Sequence, residues 1–189
     1  MATVVNDVSL QVATVNGSGS QSANTVLLRA IFQMGVPVSG KNLFPSNIAG
    51  LPTWYTIRAN HDGWVARKKE IDVLVAMNPE SAKEDVANLR SGSAVIFDEP
   101  LGLSSLRSDL AFYPVPFDKL VQPVGGDAKT KKLLRNMAYV GVVAQLYELE
   151  MPEVERAIGH RFRVSLSLAE VQSAVQAGEE PAAVGSWAM

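Results

Sequence analysis

The 189-residue sequence contains no cysteine and only two histidines, His61 and His160. The first absence excludes disulfides, zinc–thiolate centres, thiol nucleophiles and iron–sulfur clusters ligated by this chain. Two imidazoles argue against a histidine-based metal site. No apolar run approaches the roughly 20 residues that a membrane span needs. The start, MATVVNDVSL, lacks both the positive residues and the continuous apolar core of a secretory signal, so a cytoplasmic location is expected. The formal net charge of −2 provides no general basic field for nucleic acid or an anionic membrane, and neither is expected as a partner. Acidic residues are missing between Asp7 and Asp62, a span that carries Arg29, Lys41 and Arg58. A locally positive N-terminal region is therefore expected.

What the chain does have is a globular composition, 47% hydrophobic and 19% charged, at a length that suits one domain. Val8–Val15, Ile71–Met77, Ala94–Asp98 and Ala111–Pro116 are short, nearly continuous apolar runs, as strands buried on both faces tend to be. Helical spacing marks Gln21–Met34, Pro79–Leu89, Lys129–Leu149 and Met151–Phe162, with a further helix expected within Leu168–Ala177. Gly40–Thr56 fits neither period and reads as a long irregular loop, followed by a strand–turn–strand passage over Arg58–Val65. The alternation predicts an α/β fold: a single domain with a mostly parallel, Rossmann-like sheet flanked by helices and one long irregular loop.

The stretch VATVNGSGSQSANTVLLRA, residues 12–30, runs from a strand through a glycine–serine turn into a helix. Such a turn presents backbone N–H groups at the positive end of a helix dipole, where α/β proteins bind phosphates. Gly17 and Gly19 permit close approach, and Ser18, Ser20 and Ser22 add hydroxyls. A structural turn capped by Ser20 or Ser22 explains the same residues. The dinucleotide fingerprint would need a small residue where Ser22 stands and an acid about 20 positions later, which the acid-free span lacks. GVPVSGKN, residues 35–42, imitates a P-loop but has Asn42 in place of the magnesium-binding hydroxyl, follows a helix, and is hemmed in by Pro37 and Pro45. Lys41 could touch a phosphate as a point charge.

Nothing else assembles into catalysis. His61 reads as a solvated turn residue and His160 as a helix-end residue. Asp98-Glu99 closes a strand, and Lys129–Arg135 reads as the exposed start of a helix. Trp54 and Tyr55 suit either base stacking or anchoring of the loop. No catalytic residue and no metal ligand is assigned, and a self-contained enzyme is not expected.

The order of NGSGSQS (16–22), GVPVSGKNLFPSNIAGLPTWYTIR (35–58), VLVAMNP (73–79) and NMAYVGVVAQL (136–146) resembles the gamma domain of the 2-oxoacid:ferredoxin oxidoreductases. The likeness covers roughly residues 8–162 and is strongest for the branch that fuses the gamma to the alpha domain, typically in 2-oxoglutarate oxidoreductases. The family's G-x-G-G-Q-G pattern is altered here at Ser20 and Ser22. The resemblance implies a gamma-type domain over 1–165, with a C-terminal helix and tail or linker over 166–189. It implies a component, inactive alone, of an enzyme that decarboxylates a 2-oxoacid, transfers the acyl group to coenzyme A and reduces ferredoxin. Thiamine diphosphate, magnesium and a [4Fe-4S] cluster would sit in alpha and beta components. Coenzyme A contacts would fall on Gly17, Ser18, Gly19, Ser20, Gln21, Ser22, Lys41 and Asn47. The alternatives are a purely structural assembly domain and a stand-alone nucleotide-binding oxidoreductase.

Overall fold

The computed structural model of the protein describes residues 6–45, 48–124 and 126–161, together with 173 and 176. The chain divides into two compact units, residues 1–17 with 35–115 and residues 18–34 with 116–189.

The first unit is built on a six-stranded sheet of order β2-β3-β1-β4-β5-β6. Its strands are β1 (Asp7–Val15), β2 (Val38–Leu43), β3 (Pro52–Asn60), β4 (Val73–Ala76), β5 (Ala94–Asp98) and β6 (Ala111–Val115). The pairs β1·β4, β4·β5 and β5·β6 are parallel, whereas β3 runs antiparallel to both β1 and β2. The mostly parallel α/β sheet expected from the sequence is thus the one observed. Every residue of β4 and β5 is buried, which explains their unbroken apolar sequences. Pro114 is tolerated because β6 is an edge strand, and Pro52 because it opens β3. α2 (Ala82–Ala87) packs Ala82 and Val86 into a core with Leu74, Ala76, Val95 and Phe97. Phe97 and Phe112 meet edge to face, with ring centroids 6.1 Å apart.

Three expectations need correction. Among the described residues most of Gly40–Thr56 is strand, and only 44, 45 and 48–51 lie outside it. β2 hides its identity because an outer strand carries exposed Gly40, Lys41 and Asn42 instead of an apolar run. Arg58–Val65 contains no second strand, because Asn60 Oδ1 accepts the N–H groups of Asp62 and Trp64 at 3.0 Å each and turns the chain away. The helix expected from Pro79 begins only at Ala82, since Asn78 Oδ1 takes the Glu80 N–H (2.8 Å) in a turn.

The second unit holds α1 (Ser20–Gln33), α3 (Phe117–Val121), α4 (Ala128–Leu146) and α5 (Met151–Arg161). α1 packs against α4 and α5, and α3 against α4. Asp127 caps α4 by accepting the Thr130 N–H at 2.7 Å. The expected tail and last helix lie outside the described residues, except for Ser173 and Gln176, which are helical. No helix among the described residues is long and apolar enough to cross a membrane.

α4 ends where Glu148 turns left-handed, with φ 50, and the Leu149 N–H reaches the Ala144 carbonyl (2.8 Å). Glycine adopts this conformation without a Cβ penalty, and the Glu148 side chain is exposed. Glu148→Gly is therefore expected to stabilise the protein by about 0.5–1 kcal/mol, read as a higher urea midpoint.

Candidate functional site

The glycine–serine turn begins at the carboxyl end of β1, where ligands gather in open α/β sheets. In the first unit its entrance is held by residues 48–51. The Asn16 N–H donates to the Leu51 carbonyl (2.8 Å), Gly50 N–H to the Asn16 carbonyl (3.0 Å), and Asn16 Nδ2 to the Ile48 carbonyl (3.0 Å). Asn78 Nδ2 donates to the Thr14 carbonyl at 3.1 Å from the end of β4, steadying the strand just before the turn. Gly17 has φ 82, and a Cβ there would lie 3.6 Å from that of Ala49.

In the second unit the exit is held by α4. Asn136 Nδ2 donates to the Ser18 carbonyl at 2.8 Å, and the Tyr139 hydroxyl donates to Asn24 Oδ1 (2.8 Å) and to the Ser20 carbonyl (3.3 Å). Tyr139 is fully buried, and burial pushes its phenol well above the ordinary tyrosine range. Gly19 has φ 84, and a Cβ on it would approach Leu133 Cδ1 to 3.1 Å. α1 starts with no side-chain cap and no acidic residue in its first turn. The alternative cap by Ser20 or Ser22 is absent, and no acid of the first turn of α1 competes for the positive end of the helix dipole. The Ser18 hydroxyl is buried without a partner among the described residues.

Ser18, Gly19, Ser20, Gln21 and Ser22 thus lie together at the start of α1, with Gly17 immediately before them. Lys41 lies elsewhere in the first unit. It pairs with Thr56, which pairs in turn with Gln11, two strands from β1 and level with its middle. Asn47 lies outside the described residues. The P-loop imitation is mostly β2, an edge strand with no helix following it.

The expected positive neighbourhood is reduced by the fold. Arg58 is buried and ion-paired to Asp7, which holds the Asp7 carboxyl down at about 2, while Arg29 and Lys41 remain exposed. The acid-free span is free of acids in sequence only. Trp54 anchors structure: its Nε1 donates to Asp85 Oδ1 at 2.9 Å beside the core. Burial pushes the Asp85 carboxyl up. His61 sits in an exposed turn 3.1 Å from Asp62, and Lys129, Lys131 and Lys132 are exposed on α4. Sequence reasoning missed Asn136 and Tyr139. Their signal was an asparagine and a tyrosine three apart at the start of the apolar second half of α4, whose residues from Asn136 to Ala144 are all buried.

Fold and turn define the class: an α/β protein whose mostly parallel sheet leads through a glycine turn into a helix. The particular family follows from comparison. Residues 9–179 match the pyruvate ferredoxin/flavodoxin oxidoreductase family, and the chain belongs to it. The resemblance read from the sequence is borne out. Over 155 residues the chain is 25% identical to the alpha subunit of 2-oxoacid:ferredoxin oxidoreductase 2 from Aeropyrum pernix, covering 81% of this chain and 22% of that subunit. It is similar in fold to the 2-oxoglutarate:ferredoxin oxidoreductase of Magnetococcus marinus, solved with 2-oxoglutarate, coenzyme A and succinyl-CoA bound. That likeness has a TM-score of 0.80 at 21% identity, over 97% of this chain and 32% of the other. The gamma subunit of a keto/oxoacid ferredoxin oxidoreductase from Geobacter sulfurreducens matches with TM-score 0.77 at 15% identity, over 94% of this chain and 99% of that one. The chain therefore spans about a fifth to a third of the longer relatives and nearly all of a separate gamma subunit.

Proposed function

We propose that this chain is the gamma component of a thiamine-diphosphate, iron–sulfur 2-oxoacid:ferredoxin oxidoreductase, with 2-oxoglutarate as the acid, and that it helps to bind coenzyme A. The observation that carries this reading is the start of α1, which has neither cap nor acid behind a left-handed Gly19 and next to the unpartnered Ser18 hydroxyl. A phosphate of coenzyme A suits that environment, because the helix dipole favours an anion and Ser18 has a hydroxyl to donate. With no cysteine, the chain leaves any cysteine-ligated cluster to the alpha and beta components, which would also hold the thiamine and magnesium. Ferredoxin would accept electrons from the complex.

The test uses the complex assembled around the tagged chain in its native host, assayed anaerobically for coenzyme A-dependent viologen reduction with a panel of 2-oxoacids. Ser18→Ala keeps the backbone intact and is expected to raise KM for coenzyme A by about 3- to 10-fold, the equivalent of one hydrogen bond. Gly19→Asp is expected to raise it further, although it also strains the turn and requires a check of assembly by gel filtration. Unchanged KM values in both variants would overturn the phosphate placement. A structural role alone is favoured by one observation, the clamping of the Ser18 and Ser20 carbonyls from α4. It predicts that Asn136→Ala impairs assembly while Ser18→Ala leaves KM untouched.

A further inference from the structure

Residues 61–70, HDGWVARKKE, join β3 to β4 in the first unit without helix or strand. The backbone of this loop is nevertheless pinned. His61 N–H donates to the Asn6 carbonyl (2.9 Å), Asn60 Oδ1 gathers the next turn, Ser39 Oγ donates to the Val65 carbonyl, and Lys68 Nζ reaches Asp7 Oδ1 at 3.2 Å. Within it the Trp64 residue is 75% exposed. A held loop that leaves a tryptophan in water forgoes apolar burial, and has less conformational freedom left to lose on binding.

The loop that carries Trp64 is also rich in charge. Arg67 and Lys69 are exposed and make no ion pair among the described residues. Lys41 is also exposed, two residues along β2 from Ser39 and on the same sheet face. The facing acids are Asp62 beside His61, Glu70 at the loop end, and Asp7, which is engaged by Arg58 and Lys68. The loop and the strand that Val65 is bonded to thus offer the exposed cations Arg67, Lys69 and Lys41 on a chain of net charge −2. Tryptophan and arginine together are the side chains most concentrated at binding hot spots.

We infer that the Trp64 loop docks an acidic face of another protein component of the complex, one that offers an apolar recess for the indole. This rests on the reading of the chain as one component of a larger enzyme. A nucleic acid fits poorly, because the whole chain is acidic and Trp64 is the loop's only aromatic. A twofold contact with a second copy would set the loop's cations against each other.

The experiment replaces Trp64 by p-benzoylphenylalanine in the full chain, expressed with a tag in its native host, followed by irradiation and mass spectrometry of the cross-linked peptides. The expected product joins position 64 to an acidic segment of a co-purifying component. The double variant Arg67→Glu/Lys69→Glu is expected to melt as the parent does and to lower the cross-link yield about tenfold. Cross-linking to a second copy, to nucleic acid or to a non-acidic segment, an absence of cross-link, or a yield indifferent to charge reversal would each overturn the inference. If alpha and beta components co-purify without a cross-link, the inference falls alone. If nothing co-purifies, the reading of the chain as a component falls with it.

Discussion

Asp7→Ala is expected to destabilise the protein by about 3 kcal/mol at neutral pH, measured by urea unfolding, because it leaves the Arg58 guanidinium buried without its counter-ion. Arg58 retains hydrogen bonds to the Val8 (3.1 Å) and Ala59 (2.7 Å) carbonyls, which neutralise no charge. Arg58→Met removes the buried charge along with its partner's main contact, and leaves Asp7 with Lys68. The double variant Asp7→Ala/Arg58→Met should therefore be more stable than Asp7→Ala alone. A simple sum of two losses would refute this account. The pH dependence has a definite sign. The Asp7 carboxyl is depressed to about 2 in the folded state from an ordinary 3.8, so its stabilisation is complete above about pH 5 and is lost progressively as pH falls through about 2. Asp7→Ala should flatten the acid limb of the stability curve over that interval.

The second large effect concerns Tyr139. Tyr139→Ala is expected to cost about 3–5 kcal/mol, as truncation of a fully buried ring usually does. Tyr139→Phe preserves the ring and removes only the donor to Asn24 Oδ1 and the Ser20 carbonyl, at an expected cost of about 1–3 kcal/mol. The phenol of Tyr139 is raised in the folded protein, so the stabilisation is present below about pH 10 and declines as pH rises beyond it. Tyr139→Phe should lessen the alkaline loss of stability, read from thermal melts between pH 8 and 11. Because the same hydroxyl holds the Ser20 carbonyl, the substitution also tests whether the turn needs support from α4. On the proposed function, KM for coenzyme A rises in Tyr139→Phe while the acid specificity does not change.

How much of this was legible in the sequence differs from element to element. Ile71–Met77 and Ala94–Asp98 announced β4 and β5 because strands buried on both faces are apolar at nearly every position, and Val8–Val15 announced β1 through its valines, leucine and alanine despite Ser9, Gln11 and Thr14. Gln21–Met34 and Lys129–Leu149 announced α1 and α4 through helical spacing, to within a few residues of their ends. β2 stayed hidden because an edge strand is free to carry glycine, lysine and asparagine. Much of β3 stayed hidden because it opens on a proline within what read as a loop. The glycine turn was visible, and so was the order of motifs that marks the family.

By itself, then, the sequence determined the position of the turn from neighbouring residues, and the α/β class and the family from the order in which local patterns follow one another along the chain. Only the tertiary structure decided what holds and surrounds that turn. Asn136 reaches Ser18, and Asp7 cancels Arg58, across separations that no local pattern records. Hydrogen bonds and ion pairs act over a few ångströms in space, and the chain's path between partners leaves no periodic trace in the residues it passes through.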